Sequence, residues 1–283
     1  MKSYFDEQNL SKTHGQETQP VKNRHFLKTF FALFGLGTVG IIFLVPALIP
    51  LIESQLQTLP DAPDIPVVVL VLLSLINPLI LLVAAVVVGL VTAPKTGLIS
   101  HLYFQINRKA DDPKKGSFKQ AVPIGIMAGA GAAALVFVLD LVFQPYLPGA
   151  LQMSRESRNL LNTLSGIFYG GITEELLLRW GLMSLLVWGM WKGFQRSRSA
   201  PSAAVFWIAI AISSLLFALG HFGATALAVP MTTAVWTRMM LLNGLVGIVF
   251  GWLYWRKGLE IAMISHAFFH IAMTLFIVVW FLI

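Results

Sequence analysis

The chain has 283 residues, 57% of them hydrophobic and only 12% charged, with a formal net charge of +7 and no cysteine. A soluble domain of this size carries about a quarter charged residues, so this deficit, with a mean hydropathy of +0.76, excludes an ordinary soluble globule. The missing thiols exclude disulfides and thiolate metal sites, and the basic residues sit in short segments between apolar runs, as on membrane loops and not as on a nucleic-acid-binding face.

Residues 1–25, MKSYFDEQNLSKTHGQETQPVKNRH, are polar and mixed in sign, and are expected to form a disordered cytoplasmic tail before a retained first span. Apolar runs long enough to cross a hydrocarbon core then recur at 26–52, 65–93, 121–143, 159–191, 202–229, 236–255 and 259–283. The run at 159–191 is long for one crossing and contains Gly170-Gly171, so it is expected to be a kinked helix or two shorter ones. The expected fold is therefore all-α, a polytopic membrane bundle of seven or eight transmembrane helices.

Lys and Arg orient the bundle. The connection 53–64 carries only acids, whereas 94–120 carries Lys95, Arg108, Lys109, Lys114, Lys115 and Lys119. The links with Lys192, Arg196 and Arg198, and with Arg256 and Lys257, fall on that same basic side, which places the N-terminus in the cytoplasm; Arg155 and Arg158 fall on the other side. The expected location is a multi-pass protein of a bacterial inner membrane, with the 94–120 loop facing anionic headgroups. The small-residue run GIMAGAGAAA (125–134) reads as close helix packing.

Few titratable groups remain at depth: Asp140, Glu174, Glu175, Arg179, His221, Arg238, His266 and His270. Each central charge costs about 2.5–3.5 kcal/mol on insertion scales, so such groups are functional candidates. In EELLLR (174–179), adjacent residues of an α-helix point about 100° apart, so Glu174 and Glu175 are expected to face different targets. Glu175 and Arg179 are four apart in the favourable acid-first order and can pair, which leaves Glu174 free to act. Read alone, the cluster is equally consistent with a buried polar lock between helices.

His266 and His270, also four apart, lie on one helical face, and His pairs at this spacing serve as metal ligands in other hydrolases. His221 ends FALGH and sits in the outer half of its span, so it reaches the others only by tilt or an early helix end. Asp140 is expected to reach the interface, Arg238 to snorkel, and Asn243 to donate between helices.

The ordered set of EELLLR at 174–179, FALGH at 217–221 and HAFFH at 266–270 resembles the CPBP family. That family comprises the type II CAAX prenyl endopeptidases and the related bacteriocin-processing or self-immunity proteins. The resemblance covers about residues 158–275, within a catalytic core of 151–283 that follows N-terminal helices at 26–150. It implies an intramembrane endopeptidase acting on a membrane protein or lipidated peptide, with no nucleic acid involved. Glu174 would be the general base, His221 would share its water, and His266 would bind the water or the oxyanion. Glu175 and Arg179 would hold the site in shape. His270 stands where the family usually has asparagine; it can donate to an oxyanion or, with Glu174, His221 and His266, ligate a divalent metal such as zinc. Family members have been described both as metalloproteases and as metal-free glutamate proteases. The rival reading is a transport or immunity protein whose Glu/His cluster relays protons or ions.

Overall fold

The computed structural model describes residues 25–60, 64–107, 117–154 and 159–283. Most of the tail, the basic residues 108–115 and Arg155 and Arg158 lie outside them. Among the described residues the fold is helical, without strands. Six helical segments are long and apolar enough to cross a membrane: Phe26–Thr58, Val67–Thr96, Phe118–Tyr146, Ala203–Ala228, Thr233–Lys257 and Leu259–Trp280. The chain is an integral multi-pass membrane protein, as expected.

The elements in chain order are α1 (Phe26–Thr58), α2 (Val67–Ser74), α3 (Ile76–Thr96), α4 (His101–Asn107) and α5 (Ser117–Phe143). Next comes one uninterrupted helical run built from α6 (Leu160–Ser165), two π-helical segments (Gly166–Glu174 and Leu176–Met183) and α7 (Ser184–Phe194). Then follow α8 (Ala203–Gly220), α9 (Phe222–Ala228), α10 (Thr233–Lys257) and α11 (Leu259–Trp280). The long run neither kinks apart nor splits at Gly170-Gly171. It absorbs the irregularity as widened turns, in which each N–H still reaches a carbonyl five residues back. In a membrane interior a break would leave those groups without partners, so widening costs less than kinking.

The π run is the centre of the bundle. α1 and α11 pack on its first segment and α3 on its second, while α5 packs along α11 and α8 along α10. Small residues set these approaches. A Cβ at Gly129 of α5 would collide with the main-chain carbonyl of Ser265 on α11, so the small-residue run is a helix contact, as expected. Trp180, fully buried on the π run, donates Nε1–H to the Val86 carbonyl of α3.

Both ends of the bundle are tied. At the basic end, the Glu260 carboxylate at the start of α11 accepts the Ser100 hydroxyl (2.5 Å) and the main-chain N–H groups of His101 (2.7 Å) and Leu102 (2.9 Å), capping α4 from another helix. At the opposite end, Asp140 near the end of α5 accepts from Arg238 near the start of α10, through Nε to Oδ1 (2.5 Å) and Nη2 to Oδ2 (3.0 Å). Asp140 and Arg238, expected to turn separately toward the interface, are instead paired with each other. Their helix ends lie side by side, and a forked ion pair satisfies both groups more fully than headgroup water would. Gln144 extends the brace: its Nε2 donates to Asp140 Oδ2 (3.3 Å) and its Oε1 accepts Met153 N–H (2.7 Å), fastening the loop that follows α5.

Candidate active site

Glu175 is the anchor. Fully buried, it places Oε2 3.2 Å from Arg179 Nε and Oε1 2.9 Å from His266 Nδ1. The expected Glu175–Arg179 pair is present, but it is an electrostatic contact and not an aligned hydrogen bond, since neither Nε nor Oε2 has a partner in hydrogen-bonding geometry. Arg179 is held by other means. Its Nη2 donates to the Gly247 carbonyl (3.1 Å), and its guanidinium lies over the rings of Phe217 (5.0 Å) and Phe250 (5.6 Å).

The two glutamates were expected to face different targets; both face His266. Glu174 Oε2 stands 3.9 Å from Nε2 of the ring whose Nδ1 is bound by Glu175. An imidazole presents nitrogens on two edges, so side chains that diverge from adjacent positions can still flank one ring. The expected inequality between them does hold. The Glu175 side chain is fully buried, whereas that of Glu174 is 18% exposed and lines a cavity of about 430 Å³.

That cavity gathers Glu174, His221, His266 and His270. α8 ends at Gly220, the early helix end that His221 required, and His221 occupies the C-cap position. Its Nδ1 lies 2.9 Å from the Phe217 carbonyl. A carbonyl only accepts, so Nδ1 carries the proton and Nε2 is the ring nitrogen left for another partner. His266 is oriented in the same way: its Nδ1 faces the Glu175 carboxylate and its Nε2 faces Glu174. His266 is further fixed by stacking on Phe250 (4.4 Å between centroids) and on His270 (5.1 Å).

Two glycines let α11 press these rings against the π run. A Cβ at Gly166 would collide with the His270 ring, and one at Gly170 would come within 2.9 Å of His270 Nε2 and 3.1 Å of His266 Nε2. Beneath the cavity the bundle is closed: Met183, Val187, Phe250 and Leu253 are all fully buried between the site and the basic end.

Tyr169, Asp140, Arg238 and Asn243 complete the wall, and of these Tyr169 alone was not among the expected candidates. Tyr169 lies five residues before Glu174, the span of a π-helical hydrogen bond, and within electrostatic reach of its carboxylate. Asp140 and Arg238 bring the brace into the cavity wall. Asn243 also lines it, and its Nδ2 donates within its own helix to Met239 (2.9 Å), not between helices.

A divalent metal finds no cluster here. The Nδ1 tethers of His221 and His266 are of the kind that orient metal ligands, but they equally orient bases. Among the described residues no three His, Asp or Glu side chains stand together closely enough to hold an ion. No step below is routed through one.

Fold and site together define a multi-pass helical membrane protein with a carboxylate- and imidazole-lined cavity inside the bundle. Residues 156–272 match the family model described as Type II CAAX prenyl endopeptidase Rce1-like, a segment that contains every motif residue named above and bears out the resemblance to the CPBP family. At the family level the match supports an intramembrane CAAX-type protease. No curated protein and no solved structure matches the chain.

Proposed function

We propose that the chain is an intramembrane endopeptidase that hydrolyses a peptide bond of a membrane-associated protein or lipidated peptide, using a water activated by Glu174. The observation that carries this reading is the 3.9 Å gap between Glu174 Oε2 and His266 Nε2 on a cavity wall. One water oxygen spans that gap with two hydrogen bonds of about 2.8 Å. Both flanking atoms are acceptors, so the water donates both protons and turns its lone pairs toward the cavity.

In this reading Glu174 takes a proton from the water as its oxygen adds to the scissile carbonyl carbon. The C–N bond then breaks, and the proton held by Glu174 passes to the leaving amine. Glu175 keeps the His266 ring in the required tautomer, while Arg179 offsets the charge of Glu175. His221, tethered through Nδ1, offers its Nε2 lone pair to an N–H of the substrate. The carbonyl oxygen, which gains negative charge, needs donors. Neutral His221 and His266 have none to spare toward the cavity, so the Tyr169 hydroxyl and His270 fill that role.

Substrate identification tests this directly. Membrane polypeptides from cells carrying wild type and Glu174→Gln are compared by terminal-peptide mass spectrometry. Uncleaved species accumulate in the variant alone; identical termini in both membranes would defeat the protease reading.

A further inference from the structure

The side of the membrane from which the cavity opens is written in the helix ends. The described cavity-wall elements belong to one end and the middle of the bundle: the close of α5, the loop residues 150–153, the close of α6 with the first π segment, the close of α8 with α9, the first half of α10 and the outer two-thirds of α11. Contacts between elements place those termini together. Thr163 near the start of the long run bonds Thr274 near the end of α11 (2.9 Å), and Asp140 joins α5 to Arg238 of α10.

The other end carries the charge. Lys28 begins α1, Lys119 begins α5, Lys95 and Lys192 close α3 and α7, Arg196 and Arg198 lie in the next link, and Arg256 and Lys257 close α10. Side-chain contacts confirm that these termini share one face. Lys95 sits over Trp188 at 5.7 Å, and Glu260 at the head of α11 caps α4 just beyond α3. All described lysines and arginines except Arg179 and Arg238 stand at that end, and those two are each paired with a carboxylate. The connections at the cavity end carry fewer basic residues: the acids Glu53 and Asp64 stand at the α1–α2 connection, and in the sequence only Arg155 and Arg158 fall in the link after α5.

Basic residues flanking spans stay cytoplasmic. We propose that the Glu174 cavity opens on the extracytoplasmic face, and that its substrate is an extended segment of a membrane-associated polypeptide presented from that side, not a cytoplasmic tail. The buried layer of Met183, Val187, Phe250 and Leu253 closes it toward the cytoplasm. The inference about substrate rests on the protease reading; the inference about sidedness does not.

The absence of cysteine makes the test clean. Single-cysteine variants of the full chain are made at the cavity mouth, Gln152→Cys and Ala150→Cys, and at the basic end, Arg198→Cys. Cells expressing each are treated with a membrane-impermeant maleimide, intact and after permeabilisation. Mouth cysteines label in intact cells and Arg198→Cys only after permeabilisation. If Arg198→Cys labels in intact cells while both mouth positions need permeabilisation, the proposed sidedness is overturned. Labelling as expected, combined with unchanged processing in Glu174→Gln, would retain the sidedness and discard the protease.

Discussion

Glu175 holds Nδ1 of His266 at 2.9 Å across 91 residues of sequence, and this bond decides which edge of the imidazole meets Glu174. It joins the π run to the last helix at the one ring that both glutamates approach. The site is therefore assembled by the same contact that locks the fold.

Replacing Arg179 with Met leaves the Glu175 carboxylate buried without its cation. Removal of one partner from a buried pair costs about 3–5 kcal/mol. Thermal unfolding of the detergent-solubilised protein should show a large drop for Arg179→Met and a smaller one for Glu174→Gln, whose carboxylate faces the cavity. Equal drops would mean that Glu174 carries a structural load as great as its neighbour's.

Gly170→Ala sets a methyl group against the Nε2 atoms of both His266 and His270. The ring tips must shift by a few tenths of an ångström or more, while the rest of the bundle can stay as it is. Misplacement on that scale at a reacting centre lowers turnover by as much as about 10²-fold. The expected variant is folded and monodisperse but slow. A fully active Gly170→Ala protein would show that the close approach of α11 is not needed for reaction.

Tyr169→Phe removes a hydroxyl that lines the cavity within electrostatic reach of Glu174. Loss of one oxyanion donor lowers kcat by about 10²–10³-fold with little change in KM. Glu174→Gln, which removes the base, lowers turnover by about 10²–10⁴-fold. Single-turnover cleavage of the substrate found by terminal-peptide comparison separates the two effects, and a Tyr169→Phe defect confined to KM would assign the hydroxyl to binding.

Arg238→Met strips the Asp140 carboxylate of its forked partner and, through Gln144, loosens the loop at the cavity mouth. A destabilisation of about 1–3 kcal/mol is expected, and Asp140→Asn combined with Arg238→Met should recover part of it, because the orphaned charge is gone. If the double variant is the less stable of the two, the pair contributes through packing and not through charge.

Much of this was legible beforehand. Glu175–Arg179, the free state of Glu174 and the gathering of three histidines followed from spacing and from the cost of charge in lipid. The sequence did not disclose the wide turns of 166–183, because the helical reading assumes a repeat of 3.6 residues. Tyr169 was missed for that reason: on an α-helix it would lie about 140° from Glu174, and only the wider turns bring the two toward one face. The Asp140–Arg238 brace was missed for another. Two lone charges at span ends look alike whether they meet headgroups or each other, and no local pattern says which helices are neighbours. His266 between two carboxylates combines both difficulties, since the glutamates diverge from their own axis and converge only on a ring supplied by the last helix.

The widened turns also bear on how such a site is lost. Deleting a single residue between Gly166 and Met183 would let the run tighten into ordinary α-helix, one that still crosses the bilayer and inserts as readily as before. On the tightened run, residues five apart such as Tyr169 and Glu174 would lie about 140° apart, so the wall of the cavity would lose its present arrangement. The span would survive as an anchor while the chemistry vanished, so in this architecture the membrane topology tolerates an indel that the reaction centre does not.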